Sequence, residues 1–255
     1  MSELSSPGAI HVERLEGGVA LLTIDNPPMN ALGVEMRERF MATLDEVEAD
    51  EGPRSLIITG AGRAFCSGDD LKAVGGEGED LAGFARLLNR LDRSNAATIA
   101  AVNGWCVGGG FELALCCDIR IASVGARFIA AGVNVGLMAS AYRLPRLIGL
   151  GPAKAMLLTG AAHDAATAER WGLVTAVHEP GELRDYAIAL AHRIASRAPL
   201  SVAATKRVAA RALDLSPKQA AELQAEELKV LRASADHKEA VAAFKEKRDP
   251  VFRGS

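Results

Sequence analysis

The chain has 255 residues, 49% of them hydrophobic, and a formal net charge of −3. That length and apolar content suit one sizeable core, and the near-balanced charge gives no overall pull toward nucleic acid or an anionic membrane, although a local basic patch can still hold an anionic ligand. No apolar run reaches the roughly 18 residues of a membrane span, and the opening MSELSSPGAIHVE lacks the basic and apolar segments of a signal peptide, so a cytoplasmic location is expected.

Ile10–Leu15 and Val19–Asp25 read as two strands joined by Glu16-Gly17-Gly18, a hairpin signal. Gly33–Asp50 carries Met36, Phe40, Leu44 and Val47 at helical spacing. Ser55–Thr59 is a short apolar strand, Leu81–Leu91 an amphipathic helix, Thr98–Val102 a further strand, and Gly110–Cys117 a helix beneath it. Ile119–Ala122, Arg127–Ala130 and Leu173–Val177 complete the strand candidates. This β-α-β-α order predicts an α/β fold with parallel pairing. From Gly181 onward the chain is rich in Ala, Glu and Lys and reads as helix, punctuated at helix starts by Pro199 and Ser216-Pro217. The expected division is a core of residues 1–196 and a helical region of residues 197–255.

Three sites compete. Gly60-Ala61-Gly62 follows a strand as a dinucleotide fingerprint would, but Phe65 stands where the third glycine belongs, and a loop follows where a helix should open. Gly104-x-Cys106-x-Gly108 has the outline of a nucleophile elbow with cysteine in place of serine. Its triad would need a histidine on a later strand, and only His178 is so placed. Cys66, Cys106, Cys116 and Cys117 otherwise fit a reducing compartment as small buried hydrophobes, with no C-x-x-C metal spacing. The third reading uses the main chain of Gly108-Gly109-Gly110. Glycines at a helix start let a ligand approach the backbone, and the first helical N–H groups have no partner inside the helix. With the helix dipole they suit a developing negative charge, an oxyanion hole. The loop Ala64–Asp70 is the expected source of a second N–H, and Glu112, in the first turn, is placed to move a proton beside the polarised carbonyl. An ordinary first-turn acid interacting with the dipole is the alternative for Glu112.

Several separate segments resemble the crotonase superfamily, the enoyl-CoA hydratase/isomerase family. They are DNPPMNAL at 25–32, AFCSGDDLK at 64–72, AVNGWCVGGGFELALCCDIRIAS at 101–123, LPRLIG at 144–149, AERWGLV at 168–174 and FKEKRDP at 244–250. The resemblance implies a crotonase-like ββα spiral core with a helical C-terminal extension that packs on a neighbouring subunit. It implies a homotrimer or dimer of trimers, an acyl-CoA thioester as substrate, and no metal or separate cofactor. By position it assigns the two oxyanion-hole amides to Ser67 and Gly109 and the acid/base to Glu112. Ser67, Gly68, Asp69, Asp70 and Gly109 would line the CoA and thioester path, with Lys72 near the CoA phosphates.

The departures from the family pattern bear on the reaction. Typical hydratases carry a second glutamate, whose place here is held by Gly132, and the following segment Gly136–Leu144 is shorter. Other branches put a carboxylate a few residues later, where this chain has Ser140. Tyr142 and Arg143 lie in the shortened segment as candidate pocket residues, and Asp69 and Asp70 are the alternate carboxylates. The resemblance therefore leaves open an enoyl-CoA hydratase, an isomerase or other thioester lyase, or a non-catalytic acyl-CoA-binding relative.

Overall fold

The computed structural model describes residues 8–49, 52–69 and 81–255. The hairpin is formed by β1 (Ala9–Leu15) and β2 (Val19–Asp25), paired antiparallel from Ala9 opposite Asp25 to Leu15 opposite Val19. After α1 (Val34–Glu48) come β3 (Ser55–Gly60) and the short β4 (Ala64–Cys66). Then follow α2 (Leu81–Asp92), β5 (Ala97–Val102), β6 (Trp105–Val107) and α3 (Gly109–Cys116). The third such turn has β7 (Ile119–Ser123), β8 (Arg127–Ile129) and a 3-10 turn over Ala131–Val135.

Six strands form one sheet in the order β1-β2-β3-β5-β7-β10, where β10 is Val177–His178; all pairs but the first are parallel. A second sheet has the order β4-β6-β8-β9, where β9 is His163–Asp164. Each of β3, β5 and β7 thus runs into a short strand of the second sheet before the chain turns to helix. The ββα unit recurs along the core, as expected. β5 is buried at all six positions, which is why ATIAAV reads as an unbroken apolar run. β2 likewise sends alternate side chains to two cores. Leu22 and Ile24 join the cluster of Phe40, Leu44, Phe111 and Phe128, while Val19 and Leu21 face Ala187 and Ala191 of α7 (Leu183–Ala195).

Two asparagines fasten the crossing from the first sheet to the second. Asn30, in the left-handed region at φ 56, donates from Nδ2 to the carbonyls of Ala61 (2.9 Å) and Ala64 (2.7 Å). Asn103 donates to Gly62 O (3.0 Å), and its Oδ1 accepts from Gly60 N–H (3.1 Å). The carbonyls and N–H groups at this crossing are thereby paired.

The Leu173–Val177 strand is corrected to β10 alone. The N–H groups of Leu173 and Val174 both turn back to the carbonyl of Ala168 at the end of α6 (Ala165–Arg170). Those residues are apolar because they close the core, at 1% and 2% exposure, not because they lie in a sheet. Between β8 and β9 run the 3-10 turn, α4 (Arg143–Ile148) and α5 (Leu150–Thr159). Of the C-terminal helices, α8 (Pro199–Arg211) and α9 (Pro217–Ala233) begin where the prolines and Ser216 indicated, and α10 (Ala235–Glu246) starts behind a Ser234 cap, a start not anticipated from the sequence. Ser216 and Gln219 form a capping box at the start of α9. Among the described residues no helix is long and apolar enough to cross a membrane.

Candidate active site

The site forms where the AFCSGDD loop meets the first turn of α3. Gly108 precedes the helix at φ 52 and ψ −118, a conformation open to glycine, and its N–H donates to Ile129 O at 3.0 Å, which fixes the helix start on β8. Its carbonyl accepts from the Glu112 N–H at 3.0 Å, the first bond of the helix. Gly109 is the first helical residue, so its N–H has no partner within the helix. The opposing loop lies against it. A Cβ built on Gly68 would stand 2.4 Å from Gly109 N, and one on Gly110 would stand 2.1 Å from Cys66 O. The glycines are there because two backbones touch.

The two loop amides ahead of Asp69 are committed elsewhere. Ser67 N–H donates to Met29 O at 3.0 Å, and Gly68 N–H points at Cys66 Sγ at 3.3 Å. The expectation that Ser67 supplies the second oxyanion donor is corrected by that bond: its amide ties the loop to the 25–32 segment. The next main-chain N–H along the loop belongs to Asp69. The Asp69 carboxylate is held by the buried Arg37 guanidinium, Nη1 to Oδ1 at 3.0 Å, and that guanidinium lies over the Phe84 ring at 5.8 Å. That ion pair ties the loop to α1. Asp70 and Lys72 lie outside the described residues.

Glu112 sits in the first turn of α3, half-buried, and its Oε1 accepts the N–H of Ser140. With residues 138–143 it lines a cavity of about 400 Å³. A larger cavity of about 1020 Å³ reaches under α8 and shares Tyr142 and Arg143 with it. Arg143 approaches Asp92 at 3.7 Å.

The place of a second carboxylate is closed. A Cβ on Gly132 would meet Ala139 N at 2.8 Å and Leu137 O at 3.0 Å, because the shortened segment folds directly over the 3-10 turn. The Leu137 N–H donating to Gly132 O at 2.8 Å draws it there. Ser140 itself was visible in the sequence only as a vacancy for an acid; its amide contact with Glu112 had no sequence signal.

Cys106 is not a nucleophile in this fold. It is fully buried, and its thiol is directed at Gly110 O at 3.6 Å. Burial, and then the neighbouring Cys66 and Cys117, push its pKa well above the usual thiol range. A reactive cysteine needs the opposite shift and access to solvent. His178 stacks on Tyr186, ring centroids 3.9 Å apart, and no hydrogen bond joins it to Cys106 among the described residues. Gly60-Ala61-Gly62 turns the chain from β3 into β4, with no helix opening at its end.

A family model described as enoyl-CoA hydratase/isomerase matches residues 14–255. The chain belongs to that family. A member from Thauera aromatica, (E)-benzylidenesuccinyl-CoA hydratase, is 40% identical over 248 residues, 93% of this chain and 96% of the relative. The short-chain-enoyl-CoA hydratase of Clostridium acetobutylicum is 36% identical, covering 91% of this chain and 93% of the relative. Among solved structures, an enoyl-CoA hydratase from Bacillus anthracis superposes with a TM-score of 0.92 at 30% identity, covering 96% of this chain and 99% of that one. As a member of the enoyl-CoA hydratase/isomerase family, the chain has the crotonase fold that its architecture shows.

Proposed function

We propose that this protein is an enoyl-CoA hydratase that works with one carboxylate, Glu112. The observation that carries the reading is the junction of Gly68 with Gly109, in the helical turn that carries Glu112. The thioester carbonyl would accept hydrogen bonds from the N–H groups of Gly109 and Asp69, which makes the β-carbon of a 2-enoyl thioester electrophilic. Ser67, Gly68, Asp69 and Gly109 would line the thioester path. The cavity beyond Tyr142 and Arg143 offers room for the acyl group. The named relatives, both hydratases of CoA thioesters, support the reaction class.

Isomerisation is the second reading, favoured by one observation: Gly132 brings no side chain, so Glu112 is the carboxylate that lines the smaller cavity among the described residues, and a proton shuttle needs only one. A panel of short 2-enoyl- and 3-enoyl-CoA substrates separates the two. Loss of the conjugated thioester absorbance marks hydration. Gain of conjugation from the 3-enoyl substrate marks isomerisation, and binding without either marks an acyl-CoA-binding protein.

The absent second glutamate cannot simply be restored. Gly132→Glu should drive its Cβ into the backbone of 137–139, costing about 1–3 kcal/mol as overpacking does. It should also lower the hydration rate, because the same segment carries the Ser140 amide to Glu112. A denaturant midpoint and a rate measurement read both effects.

The C-terminal helices 197–255 fit an oligomerisation region. α9 contributes no buried residue, and Val230 and Phe244 are exposed at 63% and 85%. A homotrimer or dimer of trimers is the corresponding assembly, read by mass in solution. The four free, buried cysteines suit a cytoplasmic enzyme.

A further inference from the structure

We infer that Ser140 is the second polar group of this site, its hydroxyl orienting the water that Glu112 activates. The inference rests on the hydratase reading above. Ser140 is 4% exposed, and its Oγ is buried without a hydrogen-bond partner among the described residues. Buried hydroxyls are almost always paired, so an orphan calls for a reason. The backbone at Ser140 is left-handed as well, at φ 60, where glycine is at ease and serine is not. Two costs fall on one residue, and glycine would remove both. Neither the backbone nor the packing asks for a hydroxyl at this position.

The site does ask for one. The N–H of this same residue holds Glu112 Oε1, and both residues line the cavity of about 400 Å³. Oγ is three covalent bonds from that amide nitrogen and swings about χ1 between staggered positions. It therefore stays within a water's reach of the Glu112 carboxylate. Gly132 has no side chain to share the task, and the backbone of Leu137 and Ala139 occupies the space one would need.

In hydration, the water donates one hydrogen to the Glu112 carboxylate and the other to Ser140 Oγ. This aims an oxygen lone pair at the β-carbon. The O–Cβ bond forms, the Cα=Cβ electron pair moves into the thioester, and the enolate oxygen takes the main-chain hydrogen bonds. The first water proton passes to Glu112, which then returns it to Cα. One H and one OH are added, Glu112 ends as a carboxylate, and Ser140 keeps its own proton throughout.

Ser140→Ala and Ser140→Gly both keep the amide that binds Glu112 and delete only the hydroxyl. Both variants should melt at or above the wild-type temperature, because a buried unpaired group has been removed. Their kcat for hydration of a short 2-enoyl-CoA should fall about 10–100-fold, the worth of a hydrogen bond in a charged network, with KM within about twofold. Exchange of the α-proton of a saturated acyl-CoA with deuterated water needs Glu112 and the main-chain donors but no attacking water. It should stay within about threefold of wild type, since no water-orienting hydrogen bond enters that step. A purely structural role would lower melting temperature and both activities together, and would overturn the inference. If the wild type hydrates and the variants match it, the Ser140 assignment alone falls. If the wild type exchanges the α-proton or isomerises but hydrates nothing, the hydratase reading fails and takes the water-orienting role with it.

Discussion

Replacing Glu112 by Gln should lower kcat for enoyl-CoA turnover by about 10²–10⁴-fold, the usual contribution of a positioned acid/base. The fold should not notice. Glu112 is half-buried on the first turn of α3, and glutamine keeps a carbonyl oxygen where Oε1 accepts the Ser140 N–H. Glutamine is nearly as good a helix former as glutamate, and the lost charge near the helix N-terminus costs about 0.3–1 kcal/mol. The melting temperature should therefore move by only a few degrees, while KM changes little, because the main-chain donors proposed to hold the thioester are untouched. Steady-state rates with a 2-enoyl-CoA, beside a thermal melt, check the split. A variant retaining a tenth or more of wild-type kcat would show that another group moves the proton. Asp69 would not be it, since Arg37 already holds that carboxylate at 3.0 Å.

The parts of this molecule that were legible in the sequence are those whose signal is local. The apolar runs of β3 and β5 report strands buried on both faces, and Met36, Phe40, Leu44 and Val47 report the inner face of α1. The three glycines before Glu112 report a helix start that must lie open to something close. Of the second sheet only β8 was legible, within Arg127–Ala130; β4 and β6 have three residues each and β9 two, too short for a period-two pattern to emerge. Trp105-Cys106-Val107 shows the consequence: read with its flanking glycines it imitates a nucleophile elbow, whereas it is the strand that buries Cys106. Ser67 was misassigned for a different reason. Which amide of a loop is spent depends on its tertiary partner, here the carbonyl of Met29, and no local pattern encodes that bond. The closure of residues 137–139 over Gly132 belongs to the same class.

Gly68→Ala should cost the site both stability and turnover. The residue stands at φ 83, and a non-glycine residue there costs about 1–2 kcal/mol. The greater effect is steric. The added Cβ would lie 2.4 Å from Gly109 N and 2.7 Å from Gly109 Cα, backbone atoms that cannot swing aside. Relief requires residues 64–69 to lift away from the first turn of α3. In the proposed oxyanion hole that movement would part the loop donor from the Gly109 amide, and the loss of one such donor costs about 10²–10³ in kcat. Gly62→Ala is the matched control. It too sits in the left-handed region, at φ 66, but its Cβ would meet nothing within 4 Å. Gly62→Ala should lose comparable backbone stability and keep its activity, while Gly68→Ala loses more stability and nearly all turnover. Equal activities for the two variants would mean that the junction of loop and helix is not where the thioester is held. The contrast isolates contact from conformation: both changes place alanine where glycine is preferred, and only one pushes the two backbones apart.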